Sequence, residues 1–290
     1  MTEILLTYLI ISQILMFIFL IINEKSIERG YLKFEKSRGD NPSSGWYVFY
    51  IVTHMIKAPI LQEGIDRNLW IWEQYLPENT YLLSADVARG DGKDYSVCQI
   101  FKLETMEVVA EYQGKCTPDI FSRVLYDMGS EYGNSLLVVE NNSVGFAVLD
   151  KLKDMEYPNL YHSIKSTHEF VEEYQADQMS NAVVGFSMTS KTRPLIVAKL
   201  EEFVRNGLIK IYSTRLLSEM RTFIWNNGKA EAMRSYNDDL IMACAIGCWV
   251  RDTALVKSSR DVALKNVKGI WFRASTGKIE KNEVFKFCKK

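Results

Sequence analysis

The sequence predicts a mixed α/β fold in which an antiparallel meander of three strands is continued by parallel strands and flanked by helices. Two observations predict it. Three apolar runs, Tyr81 to Asp86, Tyr95 to Leu103 and Glu107 to Gln113, are separated by stretches too short for a crossover helix, so they pair antiparallel. Beyond them, short apolar strands alternate with helical patterns as far as Arg251, which is how parallel strands are built.

The first 60 residues read differently. Ile4 to Ile22 is 19 residues without a charge, close to the length that crosses the hydrocarbon core as a helix. No basic n-region or small-residue cleavage site accompanies it, which argues against a signal peptide. Lys25, Arg29, Lys33, Lys36 and Arg38 follow, so an anchor there leaves the rest of the chain in the cytosol. Residues 24–59 contain the loop Arg38 to Gly45 and otherwise give no clear signal. From Pro59 to Asn79 the pattern is that of a hairpin, with Leu69 to Trp72 as its apolar part and Pro77-Glu78-Asn79 as a turn feeding into Tyr81.

After the meander, Thr117-Pro118 supplies an N-cap and a proline at the first helical position, opening a helix to about Glu131. Leu136 to Glu140 is a short strand, and Ser143 begins a helix through Leu152. Residues 156–190 read as loop. Thr192-Arg193-Pro194 opens an amphipathic helix that ends at Gly207. Leu208 to Tyr212 reads as a strand, Thr214 to Trp225 as a helix, and Asp238 to Arg251 as a helix with no charge between Asp239 and Arg251.

Composition narrows the function. The chain has 290 residues and a formal net charge of -1, which gives no global electrostatic case for a nucleic-acid partner. The charge is uneven, however: Lys257 to Lys290 carries ten Lys/Arg against three Asp/Glu, a tail able to touch phosphate or to be a solvated terminus. Cys98, Cys116, Cys244, Cys248 and Cys288 form no CxxC pair, and His54, His162 and His168 fall into no zinc spacing. A reducing compartment without structural zinc follows.

The chemistry concentrates in acids at the ends of elements. The strand Tyr81 to Asp86 runs into the glycine-punctuated loop ARGDGKDYS, which carries Asp91 and Asp94. Glu140 ends a second strand, and Asn237-Asp238-Asp239 stands at the start of the late apolar helix. Alone, that Asp pair reads as a helix cap. Together, acids from two strand ends and one helix start form the oxygen donor set of a hard divalent cation that keeps waters and accepts phosphate oxygen. With Asp94 as a fourth, two cations roughly 4 Å apart can be held, an arrangement that points to phosphodiester hydrolysis.

SADVARGDGKDYS, LLVVENNSVG, KTRPLIVAKLEEFVRNG and YNDDLIMACAIG, in this order, resemble the C-terminal nuclease domain of the large terminase subunit of tailed phages, a branch of the ribonuclease H-like nucleases. The resemblance covers about residues 60–255. It divides the chain into 1–23 (apolar, a candidate transmembrane helix), 24–59 (linker), 60–255 (nuclease domain) and 256–290 (basic tail). It implies that Asp86, Glu140 and Asp239 are the catalytic acids, that Asp94 is an accessory acid, and that Asp86, Asp94, Glu140, Asp238 and Asp239 surround Mg²⁺ or Mn²⁺. It also implies that Asn141 and Asn142 shape the loop beside the metals and that Lys191, Thr192 and Arg193 contact DNA. The expected activity is cutting of concatemeric double-stranded DNA during packaging in the host cytoplasm. Expected partners are DNA, a separate packaging ATPase, the small terminase subunit or the portal, and a membrane through Ile4 to Ile22.

One departure stands out. A packaging ATPase needs a phosphate-cradling GxxxxGK[ST] loop, and the sequence contains no such string, so no ATP site is expected. Two alternatives stay open at this stage: another ribonuclease H-like nuclease such as a junction resolvase, and a non-catalytic remnant that acts as a binding module.

Overall fold

The structure is a computed structural model that describes residues 56–164, 170–171, 173–176, 179–226, 229–252 and 254–255. Both the apolar segment Ile4 to Ile22 and the basic tail lie outside the described residues. Among the described residues no helix is long and apolar enough to cross a membrane.

The expected meander is present as β3 (Tyr81–Asp86), β4 (Ser96–Lys102) and β5 (Glu107–Gly114), paired antiparallel. It follows β1 (Leu61–Glu63) and β2 (Leu69–Ile71), an antiparallel pair. β2 does not lie beside β3, as direct chain continuity suggests, but pairs with β5 on the opposite flank. Helix α1 (Pro118–Glu131) then returns the chain so that β6 (Leu136–Val139) joins β3 in parallel. The six-stranded sheet therefore runs β1-β2-β5-β4-β3-β6, and α2 (Ser143–Asp154) follows β6. A mixed sheet of this order, flanked by helices, fits the ribonuclease H-like expectation.

Strand periodicity sorts the sheet's two faces. Leu83 and Ala85 of β3, Cys98 and Ile100 of β4, and Leu137 and Val139 of β6 share one core cluster with Phe121, Leu125 and Met128 of α1 and Val148, Leu149 and Leu152 of α2. The alternate residues face the other way, toward α5 (residues 239–252). There the Ser84 hydroxyl donates to the carbonyl of Ala243 at 2.7 Å. A Cβ on Gly247 would come within 2.5 Å of the Phe101 ring, so this glycine lets α5 lie close on β4.

Three elements differ from the sequence reading. Residues 156–190 are not all loop: β7 (His162–Ile164), β8 (Phe170–Val171) and β9 (Ala182–Val184) form a small sheet ordered β8-β7-β9. After α3 (Thr192–Arg205), Leu208 to Tyr212 makes one bridge among the described residues, Lys210 beside Glu107, before Ser213 turns the chain into α4 (Thr214–Thr222). That helix stops short of Trp225 because Phe223, Ile224 and Trp225, strand formers all, enter the hairpin β10 (Phe223–Asn226) and β11 (Lys229–Ala232).

Beneath α4 the sheet carries a buried polar layer. Glu111 of β5 is 0% exposed and takes bonds from Gln99 at 3.1 Å, Ser213 at 2.6 Å and Arg215 at 2.9 Å. Arg215 also donates to the Asn68 and Glu111 carbonyls and lies over the Trp70 ring at 4.0 Å, so its whole guanidinium is employed. The described cysteines Cys98, Cys116, Cys244 and Cys248 are free thiols.

Candidate active site

The parallel register of β3 and β6 brings the first two acids together. Ala85 stands opposite Val139, so Asp86 and Glu140 are the next pair along the ladder, and the Glu140 N–H donates to the Ala85 carbonyl at 3.0 Å. Ser84 and Asp86 lie two residues apart on one strand, which puts Asp86 on the face covered by α5. Glu140 is further fixed by its bridge to Phe186, whose N–H bonds the Val139 carbonyl while its own carbonyl accepts from Asn141 N–H. Close backbone approach is needed here: a Cβ on Gly145 would fall 1.8 Å from the Glu140 carbonyl oxygen. Asn142 caps α2 by accepting the Val144 and Gly145 N–H bonds, and Asn141 donates to the Val184 carbonyl.

Asp239 comes from the opposite side. As the first residue of α5 it is 9% exposed, and its Oδ2 accepts from Tyr95 N–H at 2.8 Å and Asn237 Nδ2 at 3.3 Å. Asn237 also donates to the Lys93 carbonyl, which ties the α5 start to the loop after β3. The simple cap reading of the Asp pair does not hold. Asp238 turns its Oδ2 to Arg193 at 2.5 Å and to Ala232 N–H at 3.3 Å, while Glu219 of α4 meets the Ile241 N–H at 3.2 Å.

The electrostatics show what this costs. Loss of hydration, then the charge of Glu140 and a hydrogen bond with it, then the charge of Asp239, push the Asp86 carboxyl well above its ordinary range; a bond from Val87 N–H only partly opposes them. Burial raises Asp239 to about 6; the charges of Asp94 and Asp238 add to it, and the Tyr95 and Asn237 bonds oppose it. Glu219, missed by the sequence reading, is held at about 8, mainly by burial. Its signal was available only as an acid at an apolar helix position.

The remaining sequence candidates are spread around this centre. Asp94 is exposed on the loop before β4, within electrostatic reach of Asp239. Lys191 is exposed ahead of α3, whereas Thr192 is 3% exposed and spends its hydroxyl on Thr189 and Ser187. Arg193 is occupied by Asp238 and the Ala230 carbonyl.

Among the described residues no three His, Cys, Asp or Glu side chains close into a ready metal cage. The donor set still fits one class of ion. It is all carboxylate oxygen, it is short of positive charge, and a small hard cation that keeps most of its waters needs only one or two protein carboxylates plus substrate oxygen.

No family model and no curated protein sequence matches the chain. Solved structures do. The large terminase nuclease from thermophilic phage G20c with bound magnesium superposes with a TM-score of 0.52 at 18% identity, covering 69% of this chain and 95% of that one. The same nuclease with bound cobalt gives the same values. The large terminase nuclease domain of Thermus phage P74-26 gives a TM-score of 0.50 at 19% identity, covering 68% of this chain and 92% of that one. The likeness establishes a shared fold that spans nearly the whole of each neighbour.

Proposed function

We propose that the chain is a divalent-metal-dependent DNA endonuclease of the large-terminase nuclease type, with Asp86, Glu140 and Asp239 as its metal-binding catalytic acids. The observation that carries the reading is the convergence of three acids, from the ends of β3 and β6 and the start of α5, on one face of a sheet shared with phage terminase nucleases. The electrostatics support it: burial first, with like charge from Glu140 and Asp239 at Asp86 and from Asp94 and Asp238 at Asp239, makes these acids hard to ionise. Asp86 and Asp239 are both held above the ordinary carboxylate range, which is the state of a site built around positive charge.

Mg²⁺ or Mn²⁺ held by these acids, as one ion or a pair, would lower the pKa of a bound water so that it loses its proton and becomes the nucleophile, and would offset charge on the leaving oxygen. The protein's part is to hold the acids. Asp86 and Glu140 are set by the strand ladder, and Asp239 by Tyr95 N–H and Asn237. Asp94, exposed on its loop, is the acid free to turn inward as an accessory ligand. Asp238 braces the α5 start through Arg193 rather than ligating. Lys191 is the member of its trio open to a phosphate, and Thr192 shapes the helix start from within. The reading extends to cutting of concatemeric double-stranded DNA in the host cytoplasm, with a packaging ATPase supplied by another chain.

The test is cleavage of supercoiled plasmid by the full-length chain in Mn²⁺, in EDTA and as Glu140→Gln. Nicked and linear products are expected in Mn²⁺ alone, and the variant should be slower by on the order of 100-fold, since even indirect supports of a metal site are worth 10–100-fold. Cutting that survives EDTA or the substitution refutes the assignment.

A further inference from the structure

The start of α5 is held in an unusual way. A helix leaves its first N–H groups without intrahelical carbonyl partners, and the residue before it normally meets them with its own side chain. Asp238 stands in that place, since its carbonyl accepts the Met242 N–H at 2.9 Å. Its carboxylate is spent elsewhere, on Arg193 and Ala232. The N–H of Ile241 goes instead to Glu219, 22 residues earlier on α4, whose Oε2 lies 3.2 Å away. The other oxygen of Glu219 accepts from the Gln113 side chain of β5 at 3.3 Å. One buried carboxyl group thus joins α4, the sheet and the first turn of α5. That turn carries Asp239.

Resting on the metal-site reading of Asp239, we infer that Glu219 is a positioning residue of the site, fixing the height and rotation of the α5 start so that Asp239 meets the cation together with Asp86 and Glu140. The bond pattern supports this division of labour. A self-capping Asp238 would be drawn in over the helix end beside Asp239; with the cap supplied from α4, Asp238 faces the β11 side and Asp239 faces the sheet. Acceptor geometry is what the role requires. A glutamine at 219 keeps an oxygen for Ile241, and the Gln113 amide can rotate to present its own oxygen to the new amide. An aspartate is one methylene too short to reach.

The experiment measures Mn²⁺ affinity of the full-length chain by isothermal titration calorimetry, without DNA, beside melting curves in EDTA and in Mn²⁺. Glu219→Ala and Glu219→Asp should weaken Mn²⁺ binding about 10-fold or more, and Glu219→Gln should restore it to within about twofold of wild type. The Mn²⁺-induced rise in melting temperature should shrink in the first two, whereas a merely structural role lowers both curves equally. If the alanine variant does not fold, the aspartate variant decides. Folded Ala or Asp variants with unchanged Mn²⁺ affinity overturn the inference, as does a glutamine variant as weak as alanine. An Asp239→Asn control separates the two readings. If it binds Mn²⁺ like wild type, the metal-site reading fails and this one with it; if it loses Mn²⁺ while the Glu219 variants keep it, only the positioning role fails.

Discussion

Asp239→Asn should make the protein more stable, not less, when no metal is present and the pH is above neutral. The wild-type carboxyl sits at about 6 against an ordinary 3.8. Its folded form therefore holds a proton that the unfolded form has released, and stability falls as pH rises between those two values. The difference of 6 − 3.8, at about 1.36 kcal/mol per pH unit, makes the ionised group unfavourable by about 3 kcal/mol at pH 8. Asparagine carries no charge, and its oxygen can still accept from Tyr95 N–H, so the variant should gain up to about 3 kcal/mol in EDTA at pH 8. At pH 4 the carboxyl is mostly protonated in the folded state and the gain should drop below about 1 kcal/mol. Mn²⁺ at about 100 times its dissociation constant should remove most of the advantage at pH 8, since only the wild type binds it well and gains about 2.7 kcal/mol. At about 1,000 times, where the gain is about 4.1 kcal/mol, the order should reverse. Urea unfolding of both proteins at pH 4 and pH 8, with EDTA or Mn²⁺, measures all of this. A variant less stable than wild type in EDTA at pH 8, or an advantage that does not change with pH, would refute the reasoning.

Two further substitutions probe the scaffold. Arg215→Ala strips the cation from Glu111, which is 0% exposed, and a buried charge left without its partner should lower unfolding free energy by about 3–5 kcal/mol, read by urea denaturation. Gly145→Ala lies in a helix, where alanine usually helps, yet here its Cβ would strike the Glu140 carbonyl oxygen at 1.8 Å. It should destabilise by about 1–3 kcal/mol and weaken Mn²⁺ binding by displacing Glu140, measured by melting and calorimetry.

The meander was legible because its strands are long, apolar and closely spaced, and the boundaries of β3 match the run Tyr81 to Asp86. Helix α1 was legible from Thr117-Pro118. The placement of Asp86, Glu140 and Asp239 at element ends was legible because an acid that ends an apolar strand or starts an apolar helix is conspicuous in a chain read by period alone. What failed had a common cause, namely dependence on distant partners. Leu208 to Tyr212 has strand composition, but among the described residues its one bridge is to Glu107 at the start of β5, so pairing there stops after one residue. Trp225 fits the helical pattern of α4, yet the hairpin with β11 takes it. Asp238 and Asp239 looked alike in sequence. Their divergence depends on Arg193, 45 residues away, and on Glu219, neither of which any local pattern connects to them.

The parallel ladder between β3 and β6 has a consequence for how such a centre can be adjusted. Asp86 and Glu140 are 54 residues apart in sequence, but their separation is set by the spacing of neighbouring strands, about 4.8 Å, a length that no surface substitution alters. They form a fixed anvil. Asp239 rides on a separate helix held by backbone groups of the loop after β3 and by the Glu219 side chain of α4, so it is the adjustable jaw of the same vice. Anything that leans on α5 changes the grip while the anvil stays where the sheet has put it.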